Sequence, residues 1–457
     1  MSRIIQWSIT VALAGFLFGF DTAVISGADK PIQTLWGLSD FQHGLIIMSM
    51  ALWGTVIGAI FGNWPTDRLG RRTTLFLIGL LYLISALGSA LATDPYVFSF
   101  FRFIGGLGVG ASSVAAPAYI SEIAPEKHRG KLVGLYQFNI VFGILMAFVS
   151  NYFIGFMGEG AWRWMLGIEA VPALLYTLMI VRVPRSPRWL LLQRNDAAGA
   201  AEIIRQIDPE CDVDEAIATM RASSSSDRHQ AAPLFTMRHH LPILFAFLIA
   251  FFNQFSGINF IIYYAPRILE SAGLGSSAAL LSSAGIGVIN LVFTLLGMAL
   301  IDRLGRRTLI FIGSIGYLIS LTLVSRAFFQ EDFGGPGVPL LLGLFIAAHA
   351  IGQGAVIWVF IAEIFPNHLR ARGQSFGSSV HWVCAALITL VMPWVLSTFS
   401  GGPVFAFFAV MMLLQLVFVL FFMPETKGVS LEALQQRLLQ GPRAGTAMAK
   451  ARTPAGE

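Results

Sequence analysis

Between Phe251 and Pro266 an otherwise apolar stretch, FFNQFSGINFIIYYAP, carries Asn253, Gln254, Ser256 and Asn259 and the pair Tyr263 and Tyr264. An amide holds a donor and an acceptor on one group, which matches a hydroxyl such as those of a sugar. At helical spacing Asn253, Ser256, Asn259 and Tyr263 fall near one face, with Gln254 one residue round from it. Left unpartnered in apolar surroundings, each such group costs on the order of 1–3 kcal/mol, so something polar must meet them. On these residues alone two readings stay open: a binding face, or bonds from helix to helix of the kind amides make between packed membrane helices. Gly257 permits a bend or a close backbone approach in mid-stretch.

A second chemistry lies in Asp21, Arg102 and Glu169, ionisable groups inside apolar runs of the first half of the chain. A lone charge at the centre of a bilayer costs ~2.5–3.5 kcal/mol on insertion scales, so these three should pair or face a cavity. A carboxylate beside an arginine can load and release a proton if the pairing changes with conformation. The alternative is a static ion pair that holds helices together.

The elements that must position these groups are membrane helices. Of the 457 residues 56% are hydrophobic and 12% charged, and the mean hydropathy is +0.71; a soluble domain has about 25% charged residues. Twelve runs are long enough to span a bilayer, near 8–28, 42–64, 73–92, 97–122, 131–155, 162–182, 241–264, 277–301, 308–327, 338–363, 374–398 and 401–423. The fold class expected is therefore all-α, with units at 1–182, 183–240, 241–423 and a tail at 424–457.

Charge placement orients the chain and excludes nucleic acid as the reason for the net +5. Of the 30 Lys and Arg, four (Lys30, Arg163, Arg267 and Arg326) fall on one side, Arg102 falls within an apolar run, and the rest lie on the other side. The positive-inside rule then puts both termini and the central segment in the cytoplasm. That segment holds two stretches of helical period, WLLLQRNDAAGAAEIIRQI and VDEAIATMRA, the second with Asp212 or Asp214 as cap, and SSSSDRHQ at 223–230 reads as a flexible tether. Cys211 and Cys384 sit in different environments and suggest neither a disulfide nor a metal site. No GxxxxGK[ST] loop is present, which disfavours an ATP-driven pump, and no cofactor is expected. The N-terminal apolar run reads as a retained first helix, because further apolar runs follow directly.

An internal repeat organises the whole. DRLGRR stands at 67–72 and again at 302–307, and SEIAPEKHRG at 121–130 is echoed by AEIFPNHLRARG at 362–373. The halves thus read as parallel duplicates of six helices, a pattern that places a site at the midplane between them. The repeated charges, Asp67, Arg68, Arg71, Glu122 and Arg129 in one half and Asp302, Arg303, Arg306, Glu363, Arg370 and Arg372 in the other, suggest an ion-pair lattice. It could gate the cytoplasmic face, tying the halves when the site opens outward. Exposed pairs give only about 0–1 kcal/mol each, so it would matter only as a network.

The ordered set FGFDTAVISGA (18–28), DRLGRR twice, RFIGGLGVG (102–110), SEIAPEKHRG, PRSPRWL (184–190), NQFSGIN with YY (253–264), GVINLVFT (287–294), IWVFIAEIFP (357–366) and PETKG (424–428) resembles the sugar porter family of the major facilitator superfamily over about 10–430. The resemblance implies two pseudo-symmetric six-helix bundles with short cytoplasmic helices between them, and alternating access around a central sugar. On matching positions the sugar would be held by Gln254, Asn259, Asn290 and Trp358, with Asn253 and Trp382 close by and Phe18 lining the same cavity. Tyr263 and Tyr264 resemble the outer gate. Asp21 stands where proton-coupled members carry Asp and facilitative ones a neutral amide, and Arg102 and Glu169 also match.

Four departures qualify the carry-over. Ile144 replaces a Gln that usually binds sugar. His381 replaces the Gln before Trp382, as a ligand for a hydroxyl or as a packed substitute, and Asn253 replaces the first Gln of the usual pair. Arg185 replaces the Glu of PESPR, which removes an acidic member of the cytoplasmic lattice and implies a weaker lock there. The function expected is proton symport of a monosaccharide or polyol by a monomer in lipid, in the plasma or bacterial inner membrane. The alternatives are a facilitative uniporter and a non-transporting sugar sensor. A sensor should carry a long signalling tail and has 34 residues from Pro424; drug efflux would want a greasier cavity.

Overall fold

The structure, a computed structural model, describes residues 2–125, 128–209, 211–229, 233–333, 337–366 and 369–429. Twelve helices are long and apolar enough to cross a membrane. The first six are α1 (Arg3–Trp36), α2 (Asp40–Phe61), α3 (Arg71–Leu91), α4 (Pro95–Ile123), α5 (Arg129–Gly155) and α6 (Ala161–Ile180). Three short helices follow, α7 (Pro187–Gln193), α8 (Ala197–Ile207) and α9 (Val213–His229). The second six are α10 (His240–Ser271), α11 (Ser276–Leu304), α12 (Arg306–Gln330), α13 (Gly337–Ile364), α14 (Arg370–Phe399) and α15 (Gly401–Phe421). All twelve expected runs are present, and the described residues contain no strand.

Each set of six packs into a half, and the halves meet where α5 lies on α11, α2 on α14 and α1 on the second part of α10. Small residues set the closest crossings, as expected where lipid supplies no hydrophobic drive between helices. On α4, a Cβ at Gly106 would collide with the backbone carbonyl of Ala51, and Gly54 of α2 packs reciprocally on Phe103. Leu91, Phe100, Leu178, Leu296 and Leu413 stand exposed on the outer surface, an apolar belt that only lipid can cover.

Local signals explain most helix ends. Ser39 and Gln42 form a reciprocal cap at the start of α2. Asp94, Ser186 and Asp196 cap α4, α7 and α8, and of the two candidates for α9 it is Asp212 that accepts from the backbone of Asp214 and Glu215. The first helix runs on to Trp36, through Pro31, well past the apolar run near 8–28. The segment read as a tether is helical through His229, because α9 continues from its cap without a breaker. The tail beyond Val429 lies outside the described residues.

The helices α7 to α9 hold a small core of Trp189, Leu190, Leu191 and Ala200, and the Trp189 indole donates to the carbonyl of Asp67 at 2.8 Å. They are thereby fixed beneath the first half. The face that carries this linker is called the linker face below, and the opposite one the far face.

Candidate functional site

The stretch that carries the amides is not one continuous helix. Gly257 adopts φ +89°, the first part of α10 ends at Phe255, and a second begins at Ile258. A left-handed φ suits glycine, and a Cβ there would also press on the Phe408 ring at 3.0 Å. The break alters the face expected from helical spacing. Ser256 donates its hydroxyl to the carbonyl of Asn253 at 2.6 Å and so serves the break. Gln254, read as one residue off the face, becomes the hub.

Gln254 is buried; its Nε2 donates to Asn253 Oδ1 at 2.9 Å and reaches the His381 ring nitrogens at 3.1 and 3.2 Å, and its Oε1 accepts from Asn259 Nδ2 at 2.8 Å. The His381 ring lies between two indoles, with centroids 5.0 Å from Trp358 and 4.7 Å from Trp382. Phe18 of the first half meets Trp382 at 5.6 Å. The structure thus gathers Asn253, Gln254, Asn259, Trp358, His381, Trp382 and Phe18 where the halves face each other. Asn290, on α11, bonds Thr294 at 3.5 Å, and no described hydrogen bond joins it to this cluster. Ile144 is buried against Gly19 of α1.

A polar chain behind the cluster holds Asn253 in place. Gln353, on a π-helical turn of α13 (Ala350–Gly354), accepts from Asn253 at 3.5 Å and donates to Gln415 at 2.7 Å, and Gln415 donates to Ser314 at 2.8 Å. An apolar crevice of about 440 Å³ lies elsewhere, between Phe255, α14 and α15, and offers no polar group to a hydroxyl-rich ligand.

In the first half Arg102 reaches Asp21 twice, through Nη1 to the carboxylate and through Nη2 to the backbone oxygen at 3.1 Å. All three ionisable groups are almost fully buried. Glu169 interacts electrostatically with both partners, and its Oε1 has no hydrogen-bond partner among the described residues. Tyr263 lies in the field of Asp21 and Arg102, while Tyr264 donates to the carbonyl of Thr389 at 2.7 Å. A kink at Tyr264 separates the two rings, one turned to the first half and one to α14.

On the linker face the duplicated motifs build duplicated clusters. Arg71 binds Glu122 and Asp67, and Ser186 donates to Glu122 at 2.5 Å. Arg306 binds Glu363 and Asp302, and Thr426 donates to Glu363 at 2.6 Å. Both clusters stay within their own half. Their difference lies at Arg185: in the second half the matching residue, Glu425, accepts from the backbone of Arg306 and Arg307 at 3.0 and 3.1 Å and caps α12. Arg185 cannot cap α3 and lies over the Trp189 ring at 5.8 Å. Of the remaining expected gate residues, Arg68 stacks on Trp64 at 5.2 Å, Arg303 accepts from Lys427 through its carbonyl, and Arg370 donates to the Ala362 carbonyl at 3.0 Å. Arg129 is exposed, and Arg372 also has an interaction.

Among the described residues the ion pairs that cross between the halves are on the far face, where sequence reasoning assigned no ion pair. Asp29 of α1 accepts from Arg267 of α10 at 2.6 and 2.8 Å, and from His43 Nε2 of α2 at 2.6 Å. Arg267 also donates to Gln33 at 2.5 Å, and Lys30 pairs with Glu270. In the sequence Lys30 and Arg267 register only as exceptions to the charge asymmetry. A helix 1 extended to Trp36 is what brings Asp29 and Gln33 opposite them.

A family model described as sugar (and other) transporter matches residues 7–438. The chain is 34% identical over 473 residues to the D-xylose-proton symporter of Escherichia coli (strain K12), covering 95% of both chains. It is 35% identical over 443 residues to the arabinose-proton symporter of Bacillus subtilis (strain 168), again covering 95% of each. The xylose transporter XylE from E. coli, solved in a partially occluded inward open conformation, superimposes with a TM-score of 0.83 at 33% identity, covering 94% of this chain and 100% of that one.

Proposed function

This chain belongs to the sugar porter family of the major facilitator superfamily, and from that membership we propose how its own residues couple a sugar to a proton. It is a multi-pass membrane transporter of sugar and not an enzyme. Its substrate is a monosaccharide, pentose or hexose, or a related polyol. Transport is proton symport by alternating access, with the units 1–182 and 241–423 rocking about the site, 183–240 as a cytoplasmic linker and 424–457 as a tail. The protein works as a monomer in the cell membrane with both termini in the cytoplasm, as the charge asymmetry supports.

The observation that carries the coupling is the buried trio of Asp21, Arg102 and Glu169 beside Tyr263. Two carboxyl groups and one guanidinium leave the trio one positive charge short, and a buried charge deficit is costly. A proton supplies the difference. The trio abuts the tyrosine that covers the sugar, so closure over the sugar and the choice of carboxyl that Arg102 holds can change together.

The sugar is held by Gln254, Asn253, Asn259 and Asn290 through amides, by His381 as a neutral ligand, and by Trp358, Trp382 and Phe18 through apolar faces. Sugar hydroxyls would replace the bonds that the amides make with one another. The ties across the far face support an inward-facing state, in keeping with the conformation of the XylE structure it resembles. When the site opens outward the linker-face clusters of Arg71 and Arg306, with Asp67, Arg68, Glu122, Arg129, Asp302, Arg303, Glu363, Arg370 and Arg372, come to bridge the halves instead.

The test is uptake by proteoliposomes of a panel of labelled pentoses, hexoses and inositols, with and without an acid-outside pH gradient. At least one sugar should accumulate above its external concentration only with the gradient; equal uptake in both conditions would make the protein a uniporter. His381→Gln should reorder the panel, because a neutral imidazole offers one donor and one acceptor at fixed ring positions where an amide offers two donors and an acceptor oxygen. An unchanged ranking would reduce His381 to packing.

A further inference from the structure

The far-face cluster contains more than a clamp requires. Asp29 and His43 are both fully buried, and both belong to the first half, whereas Arg267 comes from the second. Arg267 alone satisfies Asp29 as a clamp, with two hydrogen bonds to the carboxylate. His43 adds a third bond from Nε2, and its Nδ1 has no partner among the described residues.

His43 begins a π-helical turn (His43–Met48) that packs on the other half, where Gly44 lies against the backbone carbonyl of Leu390 and against Pro393 of α14. If the two halves alternate, on which this inference rests, that contact parts whenever the far face opens. Arg267 then departs with α10. Asp29 stays with α1 and loses its cation, while the same parting admits water to Nδ1. A buried carboxylate left alone is strongly unfavourable, and the imidazole 2.6 Å away is the nearest group able to acquire a positive charge.

We propose that Asp29 and His43 form a second proton-binding site, separate from Asp21, which takes a proton from the far-face solution when the halves part there and returns it when Arg267 comes back. The bookkeeping of charge closes: Asp29 with Arg267 in the shut state, Asp29 with protonated His43 in the open one. The other charged groups facing the cluster are Lys30 and Glu270, which pair with each other, and Asp40, which accepts from Gln33 at 2.8 Å. Tyr264 lies under Arg267 at 5.9 Å. On α4, also packed on this turn, the charged residues are Arg102, held by Asp21, and Glu122, held by Arg71 at the linker-face end, and the α14 segment Leu390–Pro393 carries no ionisable residue.

The consequence is an outward opening favoured by acid, with one proton taken up and hence up to about a tenfold change in the open-to-shut ratio per pH unit within the titrating window. Spin labels on exposed Leu35→Cys and Ser277→Cys, with Cys211→Ser and Cys384→Ser, report the far-face separation by double electron–electron resonance in nanodiscs between pH 5 and 8. The longer distance should gain population as pH falls, and in an Asp21→Asn background, where the trio no longer takes up a proton, His43→Gln should make the population independent of pH; His43→Asn serves if the Gln variant does not fold. Arg267→Gln should populate the open form even at pH 8. A parent protein with no response, or a His43 variant that responds like the parent, overturns the proposal. Asp21→Asn alone should retain the part of the response that His43 supplies, and that arm separates failure of this site from failure of the coupling assigned to Asp21.

Discussion

Asp21→Asn is expected to abolish sugar accumulation driven by a pH gradient while leaving sugar exchange across the bilayer nearly intact. The amide has the shape of the carboxyl and can still accept from Arg102 Nη1, and the second contact of Arg102 is to the backbone oxygen of residue 21, which the substitution keeps. What is lost is the exchangeable proton. Removing one partner of a buried pair ordinarily costs about 3–5 kcal/mol, but Glu169 lies beside the guanidinium and offsets part of that. The variant should therefore fold, with Glu169 permanently ionised against Arg102. Counterflow of labelled sugar and sugar-driven alkalinisation, measured on the same proteoliposomes, separate the two activities. Alkalinisation that survives the substitution would remove Asp21 from the proton path.

Gln254→Ala is expected to weaken sugar binding by roughly 10- to 100-fold, from about 1–3 kcal/mol for a buried partner left unsatisfied. Two effects oppose each other here. The wild-type amide is fully bonded to Asn253, Asn259 and His381 without sugar, so binding must first break those contacts, and the variant is spared that cost. Against this, Asn259 and His381 lose their common partner and the sugar loses a group with both a donor and an acceptor. The second effect should win, because intramolecular bonds exchanged for sugar bonds nearly cancel whereas an unsatisfied buried group does not. Calorimetric titration of the purified protein with the preferred sugar measures the difference. An affinity equal to wild type would mean that these amides only tie α10 to α14.

How much of this was legible in the sequence depended on the range of the interaction. Spans such as Arg306–Gln330 follow from apolar length, and the pairing of Arg71 with Glu122 and of Arg306 with Glu363 follows from a repeat visible in the letters. Helical spacing misjudged the face that Gln254 shares with Asn259, since a left-handed Gly257 between them resets the phase of the residues that follow it. The tie between Asp29 and Arg267 was not legible at all. The two are joined only by the docking of one half on the other, and neither neighbourhood differs from an ordinary helix end. Likewise nothing in FQHGL marks His43 as buried, because its burial is supplied by α14 and α1 and not by its own helix.

The unequal ends of the two repeats have a further consequence. Where Glu425 accepts from the first-turn backbone of α12, Arg185 offers no acceptor to the first turn of α3 and stands instead over Trp189. Fraying begins at the end that is held least. Heat or harsh detergent should accordingly loosen the first bundle at its linker-face rim while the second is still intact, so that a molecule built of two like halves comes undone from one side.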